Sequence, residues 1–353
     1  MMGFAYCVIM AGGRGRRFWP LSRADRPKQF IDILGNGTTM IQETLLRFEA
    51  VIPGENVFVV TGEQYEETVL RQLPALHPTQ VLTESIRRNT APAIAYASYR
   101  IYSQDPDAVV VVTPSDHYVG DYKLFTNVLT QAISYAREHP SLVVMGIPPT
   151  FPATGYGYIE VGEETEVAGV LRVNEFKEKP DEDRARAFLA DGKHLWNSGI
   201  FVWHVKEIIN ALERHLPEVA VLFAELHDVY GTSREAVEVA KAFKAAPSIS
   251  IDYGVMEHAE NIVALKGNFG WDDLGTWRSL ESFRKGANSP FGENIHLKDS
   301  PRTMVWSADK DKKVVAIGLE EYLIVDQDDI LFIAPKGDEE ELHKYIDQHC
   351  DLL

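Results

Sequence analysis

Tyr6-Cys7-Val8-Ile9-Met10-Ala11-Gly12-Gly13 is the stretch on which the fold reading turns. The run Tyr6–Met10 contains no charged or turn-forming residue and reads as a strand buried on both faces. It ends in glycine at Gly12, Gly13 and Gly15, where the backbone can turn sharply and come close to a ligand. Immediately beyond stand Arg14, Arg16, Arg17, Arg23, Arg26 and Lys28 against one acid, Asp25. That local charge of +5 sits in a chain of net charge −17 and leaves −22 on the rest. A basic island fused to a glycine turn suits a polyphosphate, which backbone N–H groups would cradle and guanidinium groups would clamp. Taken alone, a glycine loop after a strand is more often structural, and a solvated basic loop is the plain alternative for Arg16 and Lys28. Counted from Gly13 and Gly15, a G-x-G-x-x-G dinucleotide fingerprint meets Phe18 at its last position, and no G-K-[ST] follows.

Outward from the loop the pattern alternates. Thr39-Met40-Ile41-Gln42 has the form of a capping box, and a helix is expected to about Val51, before Pro53. Val57–Thr61 and Gln80–Thr83 read as strands, separated by a helix over Glu63–Leu73 that Pro74 stops. An alanine-rich helix is expected over Ala91–Tyr102. The β-branched run Val109-Val110-Val111-Val112 is then a fourth strand, a helix near Tyr122–Glu138 follows, and Leu142–Gly146 is a fifth strand. Strands without a polar face, alternating with helices, predict an α/β fold with a mostly parallel sheet. Ligands bind such sheets beyond the C-terminal ends of the strands, and the loops 11–30, 84–90 and 113–117 all leave those ends.

The middle of the chain is mixed. Gly155–Glu160 and Gly169–Val173 look like hairpin strands, a helix covers about 181–191, and residues 205–246 form a helical cluster. A helix starting at Ser250-Ile251-Asp252-Tyr253, a strand at Ile262–Leu265 and a final helix near 277–284 complete this part. Composition shifts at Gly286-Ala287-Asn288-Ser289-Pro290, so one domain is expected over 1–286 and a second over 287–353. Val314–Ile317, Tyr322–Val325 and Ile330–Ile333 are short, closely spaced β-rich runs, which suggest a small β-roll or β-helix, and an amphipathic helix is expected over about Glu339–His349.

The strong negative charge argues against nucleic-acid or anionic-membrane binding, both of which reward positive surface. No apolar stretch approaches the roughly 20 residues of a membrane span, and the start of the chain lacks the basic-then-apolar pattern of a secretion signal. Cys7 and Cys350 give neither a disulfide framework nor zinc-ligand spacing, so a reducing, cytoplasmic setting is expected.

With these loops laid out, the chain resembles the mannose-1-phosphate guanylyltransferases, sugar-phosphate nucleotidylyltransferases that make GDP-mannose. The resemblance rests on Gly12-Gly13-Arg14-Gly15-Arg16 with Trp19-Pro20-Leu21-Ser22-Arg23 and Pro27-Lys28-Gln29-Phe30, and on Asn89-Thr90-Ala91-Pro92-Ala93, Pro114-Ser115-Asp116-His117 and Gly155-Tyr156-Gly157-Tyr158-Ile159. It continues through Glu178-Lys179-Pro180, Asn197-Ser198-Gly199, Ser250-Ile251-Asp252-Tyr253 and Trp271-Asp272-Asp273-Leu274-Gly275-Thr276-Trp277, in the family's order along nearly the whole chain. Lys177, where the family usually has an apolar residue, and Ser85, where proline is common, depart from the pattern. The resemblance implies a Rossmann-like, GT-A-like nucleotidyltransferase fold, here expected without the isomerase domain of bifunctional members. It also implies a homodimer. The implied reaction is attack by mannose 1-phosphate on the α-phosphorus of GTP, giving GDP-mannose and pyrophosphate with Mg²⁺. Another hexose or heptose 1-phosphate as substrate, or a non-catalytic GDP-sugar-binding regulatory subunit, are the alternatives.

Residue roles follow from the same resemblance. Gly12, Gly13 and Gly15 would cradle GTP, Arg16 would hold the β- and γ-phosphates as a planar fork, and Lys28 would be a point charge near the transferred phosphate. Asp116 and Asp273 would hold Mg²⁺, with Asp272 a neighbouring capping residue. Glu84, Asn89 and Thr90 fall on the loop assigned to the base, where the Glu84 carboxylate could accept N1–H and N2–H of guanine together. An acid stabilising the following helix is the alternative reading of Glu84. Lys179 would hold the sugar phosphate, Glu178 and Asn197 would accept from sugar hydroxyls, and Gly157 would let the backbone approach the sugar. No general base is needed, because the attacking phosphate is already an anion.

Overall fold

The structure is a computed structural model that describes residues 4–13, 18–282, 294–309, 311–337, 345 and 348. Gly15, Arg16, Cys350, the expected boundary at 286/287 and all of the terminal helix but residues 345 and 348 lie outside the described residues. Compactness divides the chain into two units. Met1–Gly12 and Ile41–Trp271 form the first, and Gly13–Met40 and Asp272–Leu353 the second, so the glycine loop is grouped with the C-terminal part of the chain.

The first unit is built on a nine-stranded sheet. In chain order the elements are β1 (Ala5–Met10), α1 (Met40–Glu49), β2 (Val57–Gly62), α2 (Glu66–Gln72), β3 (Val81–Glu84), α3 (Thr90–Tyr102), β4 (Val109–Pro114) and β5 (Tyr118–Val119). Then come α4 (Tyr122–Glu138), β6 (Leu142–Ile147), β7 (Tyr158–Glu164), β8 (Val170–Lys177), α5 (Glu182–Asp191), β9 (His194–His204) and the helices α6 (Val205–His215), α7 (Pro217–Ala224) and α8 (Glu235–Ala245). β10 (Ile262–Lys266) follows, and in β11 (Trp271–Asp272) the chain passes into the second unit. Sheet order is β3-β2-β1-β4-β9-β6-β10-β8-β7. β8 and β9 run against the other seven strands, so the expected mostly parallel sheet is present. β9 is inserted antiparallel between β4 and β6, and β8 antiparallel between β10 and β7.

β1, β2, β4 and β6 carry almost only buried residues, as their runs without polar positions require. Alternate strand residues Tyr6, Val8, Val110, Val112 and Val144 share one core with α3, α6, α7 and α8. Within that core Tyr96 stacks on Phe223, with ring centroids 6.1 Å apart, and meets Phe243 edge-on at 6.0 Å. The alanines of α3 explain its near-complete burial: small side chains let it approach both the sheet and the neighbouring helices. The helix expected over Tyr122–Glu138 spans those residues and is capped by Asp121, whose carboxylate accepts from the Leu124 N–H at 2.9 Å.

The second unit contains α9 (Trp277–Ser282) and the strands β12 (Ile295–Lys298), β13 (Met304–Ser307), β14 (Val314–Ile317), β15 (Tyr322–Gln327) and β16 (Ile330–Pro335). β12 pairs with β14 and β13 with β15, both parallel, and Ile295 faces Val314 as Met304 faces Leu323. Both registers share one offset, nineteen residues, which is also the separation spanned by the corner bonds from Leu319 N–H to Ser300 Oγ and from Tyr322 N–H to Thr303 Oγ1. Two coils of equal length, with left-handed backbone at Asp299 and Gly318 and again at Arg302 and Glu321, make this a short β-helix. Val305, Ala316 and Ile324 fill its interior.

Candidate active site

Strand register sets the site's floor in the first unit. Met10 is level with Val60 on β2 and Pro114 on β4, and Gly62 is level with Glu84 on β3. Four parallel strands thus end together, and the order 3-2-1-4 places the switch in winding direction at β1. At this edge a Cβ on Gly12 would lie 3.2 Å from Glu84 Oε2, so a side chain there would crowd this carboxylate. Glu84 is buried, and burial raises its carboxyl to about 7, with Arg87 opposing the shift.

Asp116 follows β4 on a loop held from below. Thr44 Oγ1 donates to the Ser115 carbonyl at 3.1 Å and Arg47 Nη2 to the His117 carbonyl at 2.9 Å. Arg47 is buried and lies over the Tyr122 and Phe125 rings, at 5.8 and 5.7 Å from their centroids. His117 is a packing and hydrogen-bonding residue: its Nδ1 is 3.2 Å from Trp271 Nε1. Sequence marks neither Thr44 nor Arg47, because nothing local links α1 to carbonyls 71 and 70 residues further on.

The expected base loop has structural tasks as well. Asn89 caps α3 by accepting from the Thr90 N–H at 2.9 Å, and Thr90 Oγ1 accepts from the Ile251 N–H at 2.9 Å. Thr90 thereby fixes the segment that carries Asp252.

Gly157, Glu178, Lys179 and Asn197 come together in the first unit. A Cβ on Gly157 would lie 2.4 Å from Glu178 Oε2, 3.2 Å from Asn197 Cβ and 3.4 Å from Asn197 Nδ2. Lys179 Nζ is 3.0 Å from Glu178 Oε1. Asn197 Oδ1 accepts from the Gly199 N–H at 2.9 Å, while its Nδ2 donates to Asp252 Oδ1 at 2.9 Å. Burial first, and then the Glu178 charge, push the Asp252 carboxyl up to about 6.

In the second unit Lys28 is only 4% exposed. Its Nζ donates to the Asp273 carbonyl at 2.6 Å and lies 5.8 Å from the Phe18 ring centroid. The Gly13 carbonyl accepts from Gln29 Nε2 at 2.9 Å, which ties the glycine loop to the Pro27–Phe30 segment. Asp272 and Asp273 each accept a backbone N–H two residues on, from Leu274 at 2.7 Å and Gly275 at 2.9 Å. Burial raises the Asp272 carboxyl to about 6. Among the described residues, three from the site motifs hold left-handed backbone without being glycine: Asn89 (φ 64°), Lys179 (φ 46°) and Leu274 (φ 45°). Such strain persists only where the surroundings impose it, and it concentrates at ligand sites.

Among the described residues no group of three or more His, Cys, Asp or Glu side chains could hold a metal by itself. The two carboxylates expected to bind the metal fall in different units, Asp116 in the first and Asp273 in the second. Hard oxygens in that number fit a divalent ion that takes its remaining ligands from phosphates and water. Among the described residues no helix is long and apolar enough to cross a membrane.

Residues 6–288 match the nucleotidyl transferase family model. A putative mannose-1-phosphate guanylyltransferase of Vibrio cholerae serotype O1 is 35% identical over 96% of this chain and 73% of its own length. The alginate biosynthesis protein AlgA of Pseudomonas aeruginosa is 34% identical over 93% of this chain and 69% of its own. A crystal structure described as mannose-1-phosphate geranyltransferase from Thermus thermophilus superposes with a TM-score of 0.86 at 30% identity, covering 99% of both chains. A Helicobacter pylori structure described as mannose-6-phosphate isomerase shares the fold at a TM-score of 0.63 and 24% identity, over 76% of this chain and 99% of its own. Family model, relatives and fold agree: the chain belongs to the nucleotidyl transferase family, among the mannose-1-phosphate guanylyltransferases.

Proposed function

We propose that this protein transfers GMP from GTP to α-D-mannose 1-phosphate. A phosphate oxygen of the sugar phosphate bonds to the α-phosphorus, the bond from that phosphorus to the oxygen bridging to the β-phosphate breaks, and pyrophosphate leaves with that oxygen and its electron pair. The attacking oxygen carries charge already, so no protein base has to remove a proton. What the reaction needs is fixed positive charge and oriented donors where negative charge gathers. The observation that carries the reading is Lys28, a buried ammonium held 2.6 Å from the Asp273 carbonyl within the unit that also contains Gly13. A buried ammonium beside a glycine loop suits an anionic ligand.

In this reading the backbone of Gly12, Gly13 and Gly15 cradles GTP, Arg16 clamps its β- and γ-phosphates, and Lys28 stabilises the α-phosphate. Glu84 reads the guanine edge, with Asn89 and Thr90 shaping its loop. Lys179 draws in the sugar phosphate against the repulsion of the two anions. Glu178 and Asn197 take the sugar hydroxyls, with Gly157 making room. Nucleotidyltransferases of this family generally use a divalent metal. Mg²⁺ on Asp116 and Asp273 would supply charge neutralisation at the triphosphate. Cytoplasmic location and a homodimer complete the proposal.

The test is pyrophosphate release by the purified protein with GTP, mannose 1-phosphate and Mg²⁺. Release that depends on both substrates and stops with chelator is expected, and its absence overturns the reading. Glucose, galactose and heptose 1-phosphates, compared by kcat/KM, should all turn over more slowly.

A further inference from the structure

Ser250-Ile251-Asp252-Tyr253 has no part in the site as assembled so far, yet Asp252 is bonded directly to it. The Asn197 amide is held from both ends. A backbone N–H can only donate, so the Gly199 N–H fixes Oδ1 on its side, and a carboxylate oxygen accepts, so Asp252 fixes Nδ2 on the other. One Nδ2 hydrogen remains. Asn197 is therefore built to offer a donor, although the expected role was that of an acceptor. Glu178 has the opposite character: its Oε1 lies by Lys179 Nζ, and its Oε2 is buried without a hydrogen-bond partner among the described residues. Asn197 Nδ2 and Glu178 Oε2 both lie within 3.4 Å of the point where a Gly157 Cβ would stand.

A single helical turn sets both groups. Asp252–Met256 is a π-turn, a form often found at functional sites. Asp252 at its start takes the Asn197 amide, and Glu257 just after it accepts the Glu178 backbone N–H at 3.0 Å. The turn is itself anchored, since Ile251 is buried and bonded to Thr90 Oγ1. Burial, and then the neighbouring Glu178 charge, oppose ionisation of Asp252, and groups perturbed in this way concentrate at functional sites.

We propose that Asp252 is a positioning residue of the sugar subsite, locking the Asn197 amide so that its remaining N–H and Glu178 Oε2 form a donor–acceptor pair for neighbouring hydroxyls of the sugar. The proposal rests on the sugar-phosphate reading above, which the wild-type protein tests by itself. Asp252 then governs how well that active protein discriminates its sugar.

The experiment compares wild type with Asp252→Ala, Asp252→Asn and the exchange variant Asp252→Asn/Asn197→Asp, each as the full chain. Steady-state pyrophosphate release is measured with mannose 1-phosphate and with its 2-deoxy and 3-deoxy analogues. Loss of a buried hydrogen bond predicts that Asp252→Ala raises KM for mannose 1-phosphate about tenfold, with KM for GTP changed less than about twofold and discrimination against the deoxy analogues reduced. Asp252→Asn retains an amide oxygen to accept from Asn197 and should restore KM to within about threefold of wild type. The exchange variant preserves the bond between positions 197 and 252 but removes the donor offered to the sugar. It should melt like wild type and still show the KM defect, which keeps the test open if Asp252→Ala fails to fold. An Asp252→Ala variant with unchanged sugar KM, an equal rise for both substrates, or an exchange variant with wild-type sugar KM would each overturn the proposal. No activity in wild type would instead overturn the reading on which it rests.

Discussion

The Lys28 side chain donates from Nζ to the main-chain carbonyl of Asp273 at 2.6 Å, joining positions 245 residues apart in sequence. One half of the proposed phosphate clamp thereby sets the backbone of one proposed metal ligand. Replacing Lys28 with Met preserves the buried apolar stem and removes the charge. Loss of one preorganised cation should lower kcat by about 10²-fold or more. The melting temperature should fall modestly, because the Asp273 carbonyl loses its donor. Lys28→Arg should not restore activity, since a planar fork does not fit a nearly closed site shaped for a point charge. Turnover by Lys28→Met at the wild-type rate would remove Lys28 from the chemistry.

Asp273→Asn separates the turn from the charge. Asn retains an oxygen to accept from the Gly275 N–H, so the backbone should persist while the carboxylate is lost. Activity should fall by about 10²-fold, and the Mg²⁺ concentration for half-maximal rate should rise. Asp272→Asn should be milder, because that carboxylate is raised to about 6 and already accepts from the Leu274 N–H. Equal effects of the two variants would argue against the choice between them.

Glu84 gives two pH signatures of known sign. Its carboxyl is raised to about 7 in the fold, above its ordinary value near 4.5. Between those limits the folded chain holds a proton that the unfolded chain has lost, so the group's contribution to stability is full below the ordinary value and declines as pH rises through about 7. Glu84→Gln should remove that decline, and thermal unfolding of both proteins at about pH 5 and about pH 8 would reveal it. Guanine recognition runs the other way, because only the ionised carboxylate accepts two N–H groups. KM for GTP should rise as pH falls from about 8 to about 6 in wild type and stay level in the variant, which should begin with weaker GTP binding.

Gly157→Ala would place a methyl group 2.4 Å from Glu178 Oε2 and 3.2 Å from Asn197 Cβ. Glu178 would have to move, because Asn197 is tied by two hydrogen bonds. The expected outcome is a rise of about tenfold in KM for mannose 1-phosphate with KM for GTP unchanged. A rise in both constants would place Gly157 in the general fold.

Ser300→Ala probes the β-helix apart from the chemistry. Ser300 is buried, and its Oγ accepts from the Leu319 N–H at 3.1 Å, one coil along. Leaving that N–H without its acceptor should cost about 1–3 kcal/mol. A lower melting temperature with unchanged turnover is expected, and an unchanged melting temperature would show that the corner does not depend on this bond.

Much of the fold was legible in sequence because burial leaves a local signature. Apolar runs such as Val109–Val112 cannot face water on either side, and Asp121 before Tyr122 marks a helix start, so strands and helices could be placed close to where they lie. The glycine loop, the basic island and the paired motifs were legible for the same reason, since each is a chemical pattern within a few residues. Tertiary structure alone decided the rest. Nothing in Leu195–Phe201 announces an antiparallel strand inserted between β4 and β6, because a strand buried on both faces reads alike in either direction. Nor does Asn197 reveal whether it gives or accepts a hydrogen bond. That depends on Asp252, 55 residues away, just as the position of Lys28 depends on Asp273. Local pattern determines which groups are buried, and topology determines which buried groups meet.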